Sequence, residues 1–377
     1  MKNLFNIVII CFFTLISSGC SLSASAPVDS LGISTDGRYV ITAHGYGELI
    51  LWDTVKKEKK LMAKNANTES AYFIPDSHEF MWQDTNNVVH IQNVNGQEIK
   101  QFPHFETEGH IITADKSFYL SADKWGKLYK GYGDNLVPVY TDNPISSFQP
   151  YSLSIFGNYI LSTNNTVSSP EDPPAETKLT ANPVNPDMHK KSSYNGVTLW
   201  NKTTLKPIAR LWGNTGRTTG KISPDGKWVV TGSDSGGKVM WEINNLNNRI
   251  RLIGRDGTYN AKTGYLDNSK VLPIPEKFDG IQAAGLYHIL AVAFVSEKDF
   301  ILFDRNAKSR IHPIYTTGDS WIQAYVDLGK RKSISQSNLS IGSAPKANIL
   351  AISQGTGIAV YRYHPATKEL EKIWQAD

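Results

Sequence analysis

Ser34-Thr35-Asp36-Gly37-Arg38-Tyr39-Val40-Ile41-Thr42 returns later in the chain as Ser223-Pro224-Asp225-Gly226-Lys227-Trp228-Val229-Val230-Thr231. Each copy is a turn followed by a strand. Pro224 presets φ for the turn, and Gly37 and Gly226 accept the left-handed backbone that closes a hairpin. Behind each lies a second turn and an apolar strand ending in an aromatic residue: Leu49-Ile50-Leu51-Trp52-Asp53, and Val239-Met240-Trp241-Glu242.

The plan repeats along the chain. Second strands are expected to begin near Arg38, Glu79, Ser117, Asn158, Lys227, His288 and Asn348. Third strands are expected to close on Trp52-Asp53, Ile91-Gln92, Tyr129-Lys130, Trp200-Asn201, Trp241-Glu242, Phe303-Asp304 and Tyr361-Arg362. The distance from second-strand start to the large closing residue is 12 to 15 in six units and 42 in the fourth. Fourth strands follow, as at Glu58 to Met62, Leu205 to Leu211, Arg249 to Ile253 and Glu369 to Trp374.

The Asp-Gly turn, Thr or Ser on the second strand (Thr42, Ser162, Thr231, Ser353) and Trp-Asp closing the third resemble the WD-repeat family from about Ser30 onward. The resemblance implies an all-β fold: a seven-bladed β-propeller of four-stranded antiparallel blades. An eight-bladed ring or a quinoprotein-like propeller is the other reading. The family's Gly-His pair and full Asp-His-Ser/Thr-Trp network are not reproduced, so packing is expected to hold the blades. One sheet cannot cover its own two faces, and radial stacking buries them while leaving short edges. The chain ends on an outer strand, with no clear N-terminal strand to complete the last blade. Ring closure is therefore expected to rest on packing between the first and last blades, with a strand added by the N-terminal tether as the alternative.

Second-strand starts lie 41, 38 and 41 residues apart, then 69, 61 and 60. Three insertions account for the excess: 164–193 within blade four, 254–277 between blades five and six, and 316–337 between blades six and seven. Strand parity puts all three on one face. Binding residues concentrate on loops over a rigid scaffold, so partner contacts are expected there. The candidates are Tyr259 and Tyr265 in the second insertion, and Trp321, Tyr325 and the run Lys330-Arg331-Lys332 in the third. Residues 164–193 hold Pro170, Pro173, Pro174, Pro183 and Pro186 among polar residues and read as disordered or extended chain.

Residues 1–20 read MKNLFNIVIICFFTLISSGC: one Lys, an apolar run too short for a comfortable span, then small residues. This is the plan of a secretory signal. Ser17-Ser18-Gly19-Cys20 resembles the lipobox of bacterial lipoproteins, although Ser17 stands where that family prefers Leu. The resemblance implies cleavage of a signal peptide at 1–19, lipidation of Cys20, a tether over 20–29 and a propeller over 30–377. Ser21, where Asp would mark retention, implies an outer-membrane lipoprotein facing the periplasm in a Gram-negative cell. In another organism the chain would be membrane-anchored and extracytoplasmic. The two cysteines, Cys11 and Cys20, both belong to this leader region, leaving no pair for a disulfide or thiolate metal site.

Apolar residues make up 40% of the 377, with 9 Trp, 17 Tyr, 14 Phe, 29 Gly and 18 Pro, a composition of short strands and tight turns. The formal charge of +4, or +3 without Lys2, is scattered and argues against nucleic acid as a partner. There is no Gly-x-Ser-x-Gly elbow, Gly-rich phosphate loop or His-Glu-x-x-His. His104 and His110, six apart, match no ligand spacing, and His44 falls where a blade turn is expected. Asp123-Lys124-Trp125-Gly126 and Asp234-Ser235-Gly236-Gly237 read as turns rather than calcium loops. The expectation is a non-catalytic scaffold without cofactor or metal, binding an envelope protein partner through the insertion-bearing face. The alternative is a periplasmic enzyme or small-ligand sensor with its site in the central tunnel.

Overall fold

The computed structural model describes residues 26–67, 71–104, 107–123, 128–131, 135–138, 152–163, 165–166, 197–211, 216–233, 238–252, 258–260, 265–267, 289–304, 311–328 and 339–377. The leader, Cys20 and Lys330-Arg331-Lys332 lie outside the described residues, as do both calcium-like runs beyond Asp123.

The chain forms a seven-bladed β-propeller, and each blade is an antiparallel sheet whose strand order follows the sequence. Blade one is β1 (Val28–Ile33), β2 (Tyr39–His44), β3 (Leu49–Asp53) and β4 (Glu58–Ala63); blade two is β5 (Tyr72–Phe73), β6 (Glu79–Gln83), β7 (Val88–Asn93) and β8 (Glu98–Pro103). Blade three is β9 (Thr107–Ile112), β10 (Tyr119–Asp123), β11 (Leu128–Lys130) and β12 (Val137–Pro138). Blade four is β13 (Ser152–Phe156), β14 (Tyr159–Thr163), then, after a short β15 (Asn165–Thr166) that leaves the blade, β16 (Val197–Asn201) and β17 (Pro207–Leu211). Blade five is β18 (Gly216–Ile222), β19 (Trp228–Ser233), β20 (Lys238–Glu242) and β21 (Asn245–Leu252), followed by a hairpin of β22 (Thr258–Asn260) and β23 (Tyr265–Asp267). Blade six is β24 (Ile289–Phe294), β25 (Asp299–Asp304), β26 (Ile311–Thr316) and β27 (Asp319–Asp327); blade seven is β28 (Ile341–Ala344), β29 (Ile349–Gln354), β30 (Gly357–His364) and β31 (Glu369–Ala376).

The opening motif builds its turn from its own side chains. Ser34 Oγ donates to Asp36 Oδ1 (2.6 Å), Asp36 accepts from the Arg38 amide (3.1 Å), and Ser34 Oγ accepts from the Tyr39 amide (2.9 Å). Blade five repeats these bonds with Ser223, Asp225, Lys227 and Trp228 at 2.6, 3.1 and 3.0 Å. Blade three makes the same turn from Thr113, Asp115, Ser117 and Phe118, with Lys116 taking the positive φ of 58°. Gly37 and Gly226 hold φ of 72° and 71°. A Cβ on Gly37 would lie 2.7 Å from Ile349 of blade seven, and one on Gly226 would lie 2.2 Å from Phe156 of blade four. The turn glycines therefore also seat the preceding blade.

Apolar residues point from each sheet toward both neighbours, and the core divides into seven clusters, one at each blade boundary. The boundary that closes the ring joins Val40, Ile50 and Trp52 of blade one to Ala344, Ile349, Ala351, Ile358 and Val360 of blade seven. The outermost strand of blade seven is the C-terminal β31, so closure is by packing, supported by Val28 N donating to Gly355 O at 2.9 Å.

Two expectations require correction. The strand beginning at His288 is the first of blade six, not the second, and Phe303-Asp304 closes the second strand rather than the third. Consequently residues 319–327 are the outer strand β27, not an inter-blade loop. Blade five also carries more than four strands: β15 pairs with its inner edge and the β22–β23 hairpin with its outer edge.

Gly37→Ala and Gly226→Ala combine left-handed strain with a clash and should each destabilise the protein by roughly 2 kcal/mol or more. Gly157→Ala, at φ 53° with nothing within 4 Å, meets only the strain and should cost about 1 kcal/mol. Urea midpoints compare the three variants; equal shifts would remove the seating role of the two turn glycines.

Candidate functional site

Strand alternation gives the disc two chemically different faces. The connections from first to second and from third to fourth strands share one face, termed the turn face, and none of its gaps between strands exceeds six residues. Connections from second to third strands, and from each blade to the next, share the other, termed the insertion face. It carries four connections of thirteen residues or more: 139–151, 164–196, 253–288 and 328–340.

The turn face is stitched around the whole ring. Asp36 accepts from His78 at 2.8 Å between blades one and two, and Glu79 pairs with Lys116 at 2.5 Å between two and three. Lys202 lies 6.0 Å above the Phe118 ring between three and four. Phe156 meets Gly226 between four and five, Trp228 meets Gly318 between five and six, and Ile349 meets Gly37 between seven and one. Between six and seven, Lys368 Nζ donates to both oxygens of Asp299 at 2.9 and 2.8 Å. Asp299 also accepts from Thr316 (2.7 Å), Ser296 (3.1 Å) and Tyr363 (2.9 Å). Burial would raise its pKa, but Lys368 and these hydroxyls outweigh that and hold it below the usual carboxylate range. Every lone pair is used, which makes this a structural node.

The expected contact residues separate. Tyr259 and Tyr265 lie on β22 and β23, where the backbone of Tyr259 pairs with Arg251 and that of Tyr265 with Asn260. The second insertion therefore begins by extending the outer rim of blade five rather than arching over the face. Trp321 and Tyr325 lie on β27, and Tyr325 pairs with Pro313. Trp321 follows the Thr317-Gly318 turn closely, which puts it toward the turn face. The long connection after blade six is 328–340, and its basic run lies outside the described residues. The connection 139–151 was missed from sequence because the strands of blade three are short, three residues in β11 and two in β12, and kept the repeat spacing normal.

Two polar clusters are buried between blades. In blade one, Trp52 Nε1 donates to Thr42 Oγ1 (2.9 Å), Thr42 Oγ1 lies 2.8 Å from His44 Nε2, and His44 Nδ1 lies 3.0 Å from the Ala26 carbonyl. The Ala26 carbonyl can only accept, so Nδ1 carries the proton and Nε2 accepts from Thr42. The relay is complete with a neutral imidazole, and burial pushes the His44 pKa down despite the Ala26 carbonyl and Glu48. It is a shortened form of a His-Ser/Thr-Trp network, with the histidine at the end of the second strand instead of in a Gly-His pair. A partial counterpart occurs in blade four, where Trp200 Nε1 donates to Ser162 at 2.8 Å. Between blades two and three, Tyr119 Oη lies 2.6 Å from His110 Nδ1 and 3.4 Å from His104 Nε2, with Ser121 Oγ 3.2 Å from the same His104 nitrogen. The Tyr72 ring lies 5.2 Å from that of His110. Burial, aided by His104, pushes His110 down to about 3, and burial raises Tyr119 well above the usual phenol range. The sequence holds no local signal for this cluster, because its members come from three strands and a loop.

Among the described residues, no three His, Cys, Asp or Glu side chains are grouped as metal ligands, and no helix is long and apolar enough to cross a membrane. The groups that converge hold each other, and what the fold leaves open is the insertion face.

The class these features define is the seven-bladed β-propeller with one stitched and one elaborated face. No protein-family model matches the chain, and no curated protein matches it in sequence. Among solved structures it is similar to the Kuenenia stuttgartiensis hydrazine synthase, with a TM-score of 0.59 and 13% identity over 92% of this chain and 98% of that one. At that identity the likeness shows the fold alone.

Acid should weaken the ring. A histidine whose folded pKa lies below its unfolded value near 6.5 contributes no pH-dependent loss above that value. Below it the unfolded chain takes up the proton first, so stability falls as pH drops toward the folded pKa. For His110 the slope is up to about 1.4 kcal/mol per pH unit between roughly 6.5 and 3. Thermal melts at pH 7.5 and 5 should show a lower Tm in acid, and His110→Phe should flatten the difference; identical melts in the parent protein would refute it. Thr42→Val strands the buried Trp52 and His44 nitrogens and should cost about 1–3 kcal/mol in urea denaturation.

Proposed function

We propose that this protein is a lipid-anchored, extracytoplasmic binding module that holds an envelope protein partner through the insertion face. The observation that carries the reading is the asymmetry of the connections: six residues at most on one face, four stretches of thirteen or more on the other. A rigid disc with all its excess chain on one side is a scaffold presenting loops. The leader and Cys20 supply the address: signal peptide 1–19, lipidation at Cys20, and an outer membrane facing the periplasm if the cell is Gram-negative. The buried histidine clusters are internally paired, which favours binding over catalysis. The basic run Lys330-Arg331-Lys332 falls within the 328–340 connection and remains a candidate contact, as do Tyr259 and Tyr265 on the rim of blade five.

Site-specific photo-cross-linking in intact cells tests the reading. A cross-linker at Asn86, exposed in the 84–87 connection of the insertion face, should capture a discrete envelope protein, whereas one at Val55 of the turn face should not. Removing 268–288 and 329–338, which spares every described strand, should abolish capture. Capture that survives both deletions, or occurs equally from Val55, would dismiss the insertion face as the binding surface.

A further inference from the structure

The start of the described chain is clamped. Ala26 is 2% exposed and its carbonyl is 3.0 Å from His44 Nδ1. Pro27 O accepts from Gly45 N (3.2 Å), and Val28 N donates to Gly355 O (2.9 Å). His44, Gly45 and Gly355 all belong to the insertion-face ends of blades one and seven, and β1 runs from that face toward the turn face. The tether therefore leaves from a fixed point near the axis, on the insertion face.

Five residues lie between Cys20 and Ala26, and the six Cα–Cα steps reach about 20 Å when fully extended. A pose with the turn face toward the bilayer needs much more. The chain would have to descend the height of a six-residue strand, about 20 Å, which alone uses the whole leash, and around the outer edge it would first cross three inter-strand spacings, about 14 Å. The leash is too short for that path and long enough for the opposite pose. What the insertion face presents beside the exit is suited to a headgroup layer. Tyr46, in the connection from β2 to β3, is 75% exposed, and Lys64 and Asn65 are exposed beside it. Tyrosine favours the membrane interface, with its ring at headgroup level.

We infer that the propeller stands with its insertion face toward the membrane that carries its lipid, with the blade-one rim around Tyr46 and Lys64 against the phospholipid headgroups. This rests on the lipidation of Cys20 proposed above and sharpens it: the partner met by the long connections is met at the membrane surface. The turn face, with Val55 70% exposed, points away.

The test uses the full lipidated protein in vesicles of phosphatidylethanolamine and phosphatidylglycerol carrying an acceptor-labelled lipid. Acylation of Cys20 and removal of Cys11 with the leader leave a single introduced thiol in Tyr46→Cys or Val55→Cys for a donor fluorophore. Energy transfer to the lipid should be several-fold more efficient from position 46 than from position 55. Equal or reversed transfer on an acylated chain overturns the orientation alone. A free thiol at Cys20, read by the mass of the N-terminal peptide, overturns the lipid reading and the orientation with it. Transfer from position 46 that appears only when envelope proteins are added assigns the rim to a protein partner and overturns the headgroup contact.

Discussion

Each blade has two apolar faces and no means of covering either one by itself. The structure satisfies this constraint by giving every boundary its own buried cluster, including the boundary between the last blade and the first. Because β31 is the outer strand of blade seven, no described strand from the N-terminal side laces the ring shut. Closure falls to Trp52, Val40 and Ile50 against Ile349, Ile358 and Val360, with Trp374 edge-on to Trp52 at 6.1 Å. A fully buried side chain of this kind contributes roughly 1.5–3 kcal/mol, whereas a hydrogen bond contributes about 1 kcal/mol net. Packing therefore dominates at the seam. The Trp52–Thr42–His44 relay acts differently: it leaves no buried nitrogen unpaired and fixes where the N-terminal chain meets the ring.

Much of this architecture was readable because the turn chemistry is local. Ser34-x-Asp36-Gly37 and Ser223-x-Asp225-Gly226 carry donor, acceptor and left-handed residue within four positions, so the sequence alone marks the hairpin. Blade three uses the same hydrogen bonds but lets Lys116 take the left-handed position, which removes the visible glycine and weakens the signal. Blade six misleads for a related reason. Phe303-Asp304 ends its second strand with the aromatic–acid pair expected of a third, while the true third strand, Ile311–Thr316, has no such ending. Its first turn, Ser296 to Asp299, has no glycine and commits its aspartate to a buried node with Lys368. The polar clusters were illegible for a plainer reason: Tyr72, His104, His110 and Tyr119 meet only when two blades stack, and no spacing encodes that.

The placement of contact residues shows where parity arguments hold. Parity depends only on counting strands, so the face carrying each long connection was accessible from sequence, and the 328–340 connection lies on that face even though blade six was misregistered. Which residues belong to a connection and which to a strand depends on exact boundaries. Trp321 and Tyr325 were lost to β27 on that account, and Tyr259 and Tyr265 became part of a hairpin that widens blade five. Aromatic residues in a long spacing can serve an added strand as readily as a partner.

The one-sidedness of the excess chain has a cause in the turn face itself. There each blade touches the next: Asp36 to His78, Glu79 to Lys116, Phe118 to Lys202, Phe156 to Gly226, Trp228 to Gly318, Asp299 to Lys368, Ile349 to Gly37. A longer connection would pull one of these partners out of register and expose the cluster beneath it, so growth there is penalised at both neighbours. On the other face a longer connection raises only the slowly growing cost of loop closure. The ring thus reserves one face for cohesion and frees the other for variation. The N-terminal chain, clamped at Ala26 and Val28, issues from the face left free to vary.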